Sequence, residues 1–136
     1  MQLRRTMLYV PGNNAAMVKD AHIYRADAIM FDLEDSIAVT EKDSARFLTY
    51  HALRSLNYEE TETVVRINGL DTPYGREDIK AMVNARPNLI RLPKAETAQD
   101  VWDVEELITE EERAAELPEG TIGMMAAWDL DGLLAD

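Results

Sequence analysis

Arg66 stands inside an apolar, β-branched run, Val64-Val65-Arg66-Ile67-Asn68, and a guanidinium embedded in such a run needs an anion. By the two-residue period of a strand, Asn68 lies on the same face and adds an amide donor, so the pair suits a carboxylate held by two parallel hydrogen bonds. The ordinary alternative is an internal ion pair with Glu34 or Asp35. A second run, Ala28 to Phe31, ends on Asp32-Leu33-Glu34-Asp35. Three carboxylates at one strand end repel one another until a cation, Arg66, Lys94 or a proton relieves them. Oxygen donors of this kind favour magnesium held through one or two carboxylates, waters and ligand oxygens. The competing reading makes one or two of them acceptors for neighbouring loops. A third run, Leu89-Ile90-Arg91-Leu92-Pro93, ends on Lys94, a point cation suited to a phosphate or carboxylate and equally ordinary as a surface lysine. A fourth, Thr121 to Trp128, ends on Asp129.

Polar residues recurring at the ends of buried strands describe one shared site, because in a parallel sheet wrapped by helices ligands gather at the carboxyl ends of the strands. The elements between them alternate. Met7 to Val10 reads as a first strand, and Asn13 or Asn14 caps a helix to about Ala21, with Met17 and Ala21 toward the sheet. Thr40 is the expected cap of a helix whose Ala45, Leu48 and Ala52 form one buried stripe. Thr63 to Ile67 is the third strand, and the loop Gly69–Gly75 precedes a helix carrying Ile79, Met82 and Val83. Asn88 to Leu92 is the fourth. Thr97-Ala98-Gln99-Asp100 reads as a capping box for a helix with Val101, Val104 and Ile108 inward, ending in a solvated charge run, Glu110-Glu111-Glu112-Arg113. Thr121 to Ala127 is the fifth strand. Such alternation predicts an α/β fold, a parallel sheet of about five strands with right-handed crossovers and four helices.

Composition narrows the partners. With 14 basic and 26 acidic residues the formal charge is −12, which argues against nucleic acid or an anionic membrane. No apolar run approaches the roughly 20 residues of a membrane span. Met7 to Val10 is too short for the roughly 7 to 15 residues of a signal-peptide core. Zero cysteines remove thiol and disulfide chemistry, and the cytoplasm is the expected location. His22 and His51 fall on predicted helices, away from the strand ends. Phosphate-binding glycine motifs and serine-hydrolase motifs are missing from the sequence. A receiver-like signalling domain fits poorly, because the acidic cluster follows strand two and strand three ends on Arg66 and Asn68 where a phospho-acceptor Asp is needed.

The series Met7-Leu-Tyr-Val-Pro-Gly-Asn13, Met30-Phe-Asp-Leu-Glu-Asp-Ser36, Val64-Val-Arg-Ile-Asn68 and Arg91-Leu-Pro-Lys94 resembles the citrate lyase beta chain family, within the superfamily of HpcH/HpaI aldolases that includes malyl-CoA and citramalyl-CoA lyases. The resemblance runs in order from about residue 3 to residue 127. It implies a TIM-type (β/α)8 barrel and a magnesium-dependent retro-aldol cleavage of a citryl thioester, carried on an acyl carrier protein or on CoA, to oxaloacetate and an acetyl thioester. It further implies assembly with alpha and gamma citrate lyase subunits in an oligomer. On the matching motifs, Arg66 is expected to hold the substrate carboxylate with Asn68 and Lys94 beside it. Glu34 and Asp35 are expected to support the metal and its water.

After Met124-Met-Ala-Ala127 the family usually continues Ile-Glu-Ser, in which the Glu ligates magnesium; here Trp128-Asp129 follows. Asp129 is therefore the expected metal ligand and substrate contact, one methylene shorter. Since a closed eight-stranded barrel takes about 250 residues, the 136 residues are expected to be the N-terminal part of a barrel lyase domain, truncated after the fifth strand. The alternative is a catalytically inactive fragment retaining only assembly contacts.

Overall fold

Five apolar runs become five parallel strands. In the computed structural model, which describes residues 6–58 and 60–128, they are β1 (Met7–Pro11), β2 (Ala28–Asp32), β3 (Glu62–Arg66), β4 (Leu89–Ala95) and β5 (Gly123–Trp128). They lie side by side in chain order, every adjacent pair parallel. Among the described residues β1 and β5 each have a single neighbour, so the sheet is open, an α/β arc of a TIM-type barrel. Four α-helices supply the crossovers: α1 (Ala15–Asp20), α2 (Lys42–Ser55), α3 (Gly75–Ala85) and α4 (Ala98–Ala114). Each touches the next in sequence, as crossovers packed in a single layer over a sheet in chain order require. No helix among the described residues is long and apolar enough to cross a membrane.

Strand periodicity assigns the two faces of the sheet. Val10, Ile29, Phe31, Val65, Ile67 and Ile90 point to the helices and are fully buried with Val18, Ile79, Met82 and Val104. The opposite face carries two rows set by the strand register: Tyr9, Met30, Val64 and Leu89 in one, and Asp32, Arg66, Arg91 and Met125 in the next, at the carboxyl ends. The apolar row is the floor and the charged row the rim.

The local signals behave unevenly. Asn14 caps α1 through its Oδ1, which accepts from Met17 N at 3.1 Å. Met17, however, is 39% exposed and Val18 takes the inward position. Helical geometry breaks at Asp20, and Ala21 is buried by a separate 3₁₀ turn, Ala21–Tyr24, rather than by a stripe shared with Met17. Thr40 caps nothing: it lies in a 3₁₀ turn, Val39–Glu41, and α2 begins without a side-chain cap. Ala45 and Ala52 are buried, Leu48 is half-buried, and Thr49 is buried between them. The stripe Ile79, Met82, Val83 is buried as its spacing predicts. The capping box forms in both directions, Thr97 Oγ1 accepting from Asp100 N and Asp100 Oδ2 accepting from Thr97 N.

The glutamate run is the larger correction. Glu112 is only 1% exposed; its carboxylate accepts from Gly120 N at 3.1 Å and Ile122 N at 2.8 Å. A buried carboxylate bonded to two backbone amides ties the end of α4 to the start of β5.

Candidate active site

The pairing of β2 with β3 puts Asp32 beside Arg66, and the two lock together. Arg66 donates Nε to Asp32 Oδ1 and Nη2 to Oδ2, both at 2.8 Å, the two-pronged geometry that guanidinium and carboxylate share. Nη1 is left out of that grip. The same carboxylate accepts from Glu34 N (2.9 Å), Ser36 N (2.8 Å) and Ser36 Oγ (2.6 Å). Burial works to raise the Asp32 carboxyl, but the bonds from Arg66, Ser36 and Glu34 N together hold it well below the ordinary carboxylate range. The internal partner of Arg66 is thus Asp32. Glu34 is a more distant neighbour, its Oε1 3.7 Å from Arg66 Nε.

By folding the turn after β2 around its own side chain, Asp32 delivers Glu34 to the rim. Lys42, a buried lysine at the start of α2, fastens the same turn by donating Nζ to Glu34 O at 2.5 Å and Leu33 O at 3.3 Å. Glu34 is a third exposed. Its carboxyl is pushed up, first by burial and then by the fields of Asp32 and Asp35, against the pull of Arg66 and Lys42. It is a carboxylate short of positive charge. Asp35 is exposed in the same turn.

Asn68, 3% exposed, has its amide engaged: Nδ2 donates to Leu33 O at 2.9 Å and Asp78 Oδ2 at 2.7 Å, and its backbone N donates to the same oxygen at 3.0 Å. Asp78, fully buried in the first turn of α3, also receives Arg46 Nε from α2 at 2.7 Å. Asn68 therefore joins the loops after β2 and β3. Lys94 is exposed on β4, which runs past Leu92 to Ala95. Glu34, Asn68 and Lys94 all border one open cleft of about 420 Å³, lined also by Leu70, Thr72 and Asp100. Arg66 lies on the neighbouring inner face. His22 and His51 are exposed and away from it, on the 3₁₀ turn and on α2. Asp129 lies outside the described residues.

Sequence reasoning passed over Lys42, Arg46 and Asp78, which hold the site without facing it. The available signal was their placement in the first two turns of two helices that follow polar strand ends. It also passed over Arg91, which shares the inner row with Arg66.

Chemically, the rim offers a guanidinium whose Nη1 stands outside the pair with Asp32, a carboxylate whose proton affinity is raised, and a lysine. No group of three or more His, Cys, Asp or Glu able to hold a metal occurs among the described residues. A magnesium ion that keeps most of its waters needs one or two carboxylates and the ligand's own oxygens. Glu34, under-compensated and facing the cleft, fits one such place, and Asp129 has the chemistry for another.

Known proteins resemble this chain in sequence and in fold. Citrate lyase subunit beta of Leuconostoc mesenteroides subsp. cremoris is 60% identical over 126 residues, 93% of this chain and 42% of that protein. A (3S)-malyl-CoA thioesterase of Cereibacter sphaeroides is 37% identical over 126 residues, 93% of this chain and 44% of that protein. Thus the chain spans less than half the length of these relatives. Among solved structures, CitE from Mycobacterium tuberculosis in complex with magnesium, acetoacetate and coenzyme A superposes with a TM-score of 0.64 and 30% identity, over 98% of this chain and 52% of that one. Residues 5–129 match the family described as HpcH/HpaI aldolase/citrate lyase. With the matched segment spanning all five strands and the charged rim, the chain belongs to the HpcH/HpaI aldolase/citrate lyase family.

Proposed function

We propose that the chain provides the N-terminal part of the catalytic barrel of a citrate lyase beta-type enzyme, cleaving a citryl thioester to oxaloacetate and an acetyl thioester. The observation that carries this reading is the Arg66 guanidinium, fixed by Asp32 through Nε and Nη2, beside the cleft-facing Glu34. The 60% identity to a citrate lyase beta subunit, against 37% to a malyl-CoA thioesterase, favours a citryl over a malyl substrate.

The reaction breaks one carbon–carbon bond. The substrate hydroxyl loses its proton, its oxygen becomes the ketone of oxaloacetate, and the bonding pair leaves on the thioester fragment, which takes up a proton. Arg66 holds a substrate carboxylate and orients the breaking bond. Asn68 fixes the two loops that wall the cleft, and Lys94 adds positive charge at its mouth. Glu34, with the neighbouring charge of Asp35 and with Asp129 as the further ligand, would hold magnesium through bound water. A bound magnesium ion supplies Lewis-acid stabilisation of the charge developing on the departing ketone oxygen. An acyl carrier protein bearing the thioester, or CoA in its place, alpha and gamma subunits, an oligomer and a cytoplasmic location belong to the same reading.

The test is magnesium-dependent cleavage of a citryl thioester by the purified chain, with Arg66→Ala as control. Turnover abolished by the substitution supports the lyase. Folded protein with no turnover supports a second reading, an inactive piece retaining assembly contacts.

A further inference from the structure

The inner charged row contains two guanidiniums and one fully engaged carboxylate. Arg66 and Arg91 are register partners on adjacent parallel strands, so their side chains leave the same face about 4.8 Å apart at the backbone. Arg66 is compensated by Asp32. Arg91 is not: its Nε is the one buried side-chain nitrogen or oxygen without a hydrogen-bond partner among the described residues. Its Nη1 makes only a 3.5 Å contact to the sulfur of Met30, a weak acceptor. Protein interiors seldom leave such a donor unmet, and the groups that are left unmet mark places where a ligand or ion belongs.

We propose that Arg91 is a specificity-determining residue, a second carboxylate anchor that makes the site prefer a ligand with two free carboxylates over one with a single carboxylate. Arg66 takes the first carboxylate through Nη1, and Arg91 takes the second, which turns a generic acid pocket into a dicarboxylate pocket. This rests on the lyase reading and names the substrate feature that reading leaves open. The bland account makes Arg91 a cover, its methylenes shielding the floor at Met30. That account leaves Nε without an acceptor.

The two accounts separate in a binding experiment on the full chain. Malate and lactate are both 2-hydroxy acids and differ by one carboxylate, so each is titrated calorimetrically, in magnesium buffer, into wild type, Arg91→Gln and Arg91→Lys. A charge-assisted contact corresponds to roughly a 10- to 100-fold preference for malate in wild type. Arg91→Gln is expected to remove that preference while leaving lactate affinity within about twofold, and Arg91→Lys, which keeps the charge without the fork, to restore part of it. A wild-type preference that survives in Arg91→Gln overturns the inference and leaves the lyase reading standing. Equal weakening of both acids in Arg91→Gln also overturns it and assigns Arg91 to the cover. Wild type that binds neither acid overturns the lyase reading and the inference together.

Discussion

Asp32 and Arg66 meet on neighbouring strands through two 2.8 Å hydrogen bonds, and the same aspartate closes the turn that presents Glu34. One carboxylate thus sets both the direction of the Arg66 guanidinium and the position of Glu34 at the rim. Asp32→Asn is expected to cost about 3 kcal/mol, since removing one partner of a buried pair leaves the other charge uncompensated. The folded-state carboxyl lies below its unfolded value, so its contribution is complete above the unfolded value near about 3.9 and fades as pH falls toward the folded one. Denaturant melts between pH 2 and 7 should show wild type losing stability below about pH 4 with Asp32→Asn following a shallower slope there; parallel curves would sink the assignment.

Glu34 shows the opposite sign. Its carboxyl is raised in the fold, so the folded state binds more protons than the unfolded one and stability falls as pH climbs from the unfolded value near about 4.3 through the folded one. Glu34→Gln removes that penalty. Because the side chain is a third exposed, solvent screening keeps the gain under about 1 kcal/mol at pH 7. Magnesium affinity should drop about 10- to 100-fold, the cost typical of losing a group that supports a bound metal. A variant slightly more stable and poorer in magnesium is the signature of a residue kept for function.

Glu112 tests the fastening of β5. Its carboxylate meets Gly120 N and Ile122 N from a site 1% exposed. Glu112→Ala leaves two amides unmet and should cost about 3 kcal/mol, whereas Glu112→Gln retains one acceptor oxygen and should recover part of the loss. Hydrogen exchange of residues 120–124 reads the effect locally. Acceleration confined to that segment in Glu112→Ala supports the tie; unchanged protection there refutes it.

The alternation of strands and helices was legible because parallel strands covered by helices read as short continuous apolar runs, and the runs at β2, β3 and β4 each lie within a few residues of their observed bounds. The capping box at Thr97 and Asp100 was legible for a different reason: both partners sit within four residues, so no tertiary information is needed. Arg66 was readable as an anion seeker, but its partner was not. Asp32, Glu34 and Asp35 are equivalent on paper until the β2–β3 register selects one. Glu112 was hidden among three glutamates because only the return of the chain into β5 distinguishes the inward one from its solvated neighbours. Thr40 misled because a 3₁₀ turn displaces the helix start beyond it.

The loop over residues 69–75 forms one wall of the cleft through Gly69, Leu70, Asp71 and Thr72, and it closes back on itself where α3 begins. A Cβ placed on Gly75 would collide with Gly69 O and come within 2.8 Å of Gly69 C and 3.0 Å of Asn68 O. These are backbone atoms and have no rotamer to yield. Gly75→Ala must therefore lift the first turn of α3 away from the loop, and Asp78 in that turn carries the bonds to Asn68 and Arg46. The strain should cost about 2 kcal/mol, within the usual range for overpacking. The functional loss should be larger than stability alone explains, because a small misplacement of positioning groups lowers turnover by up to about 100-fold. Citryl-thioester cleavage measured well below the variant's melting temperature separates the two effects. Full activity in folded Gly75→Ala would show that the loop after β3 does not position the site.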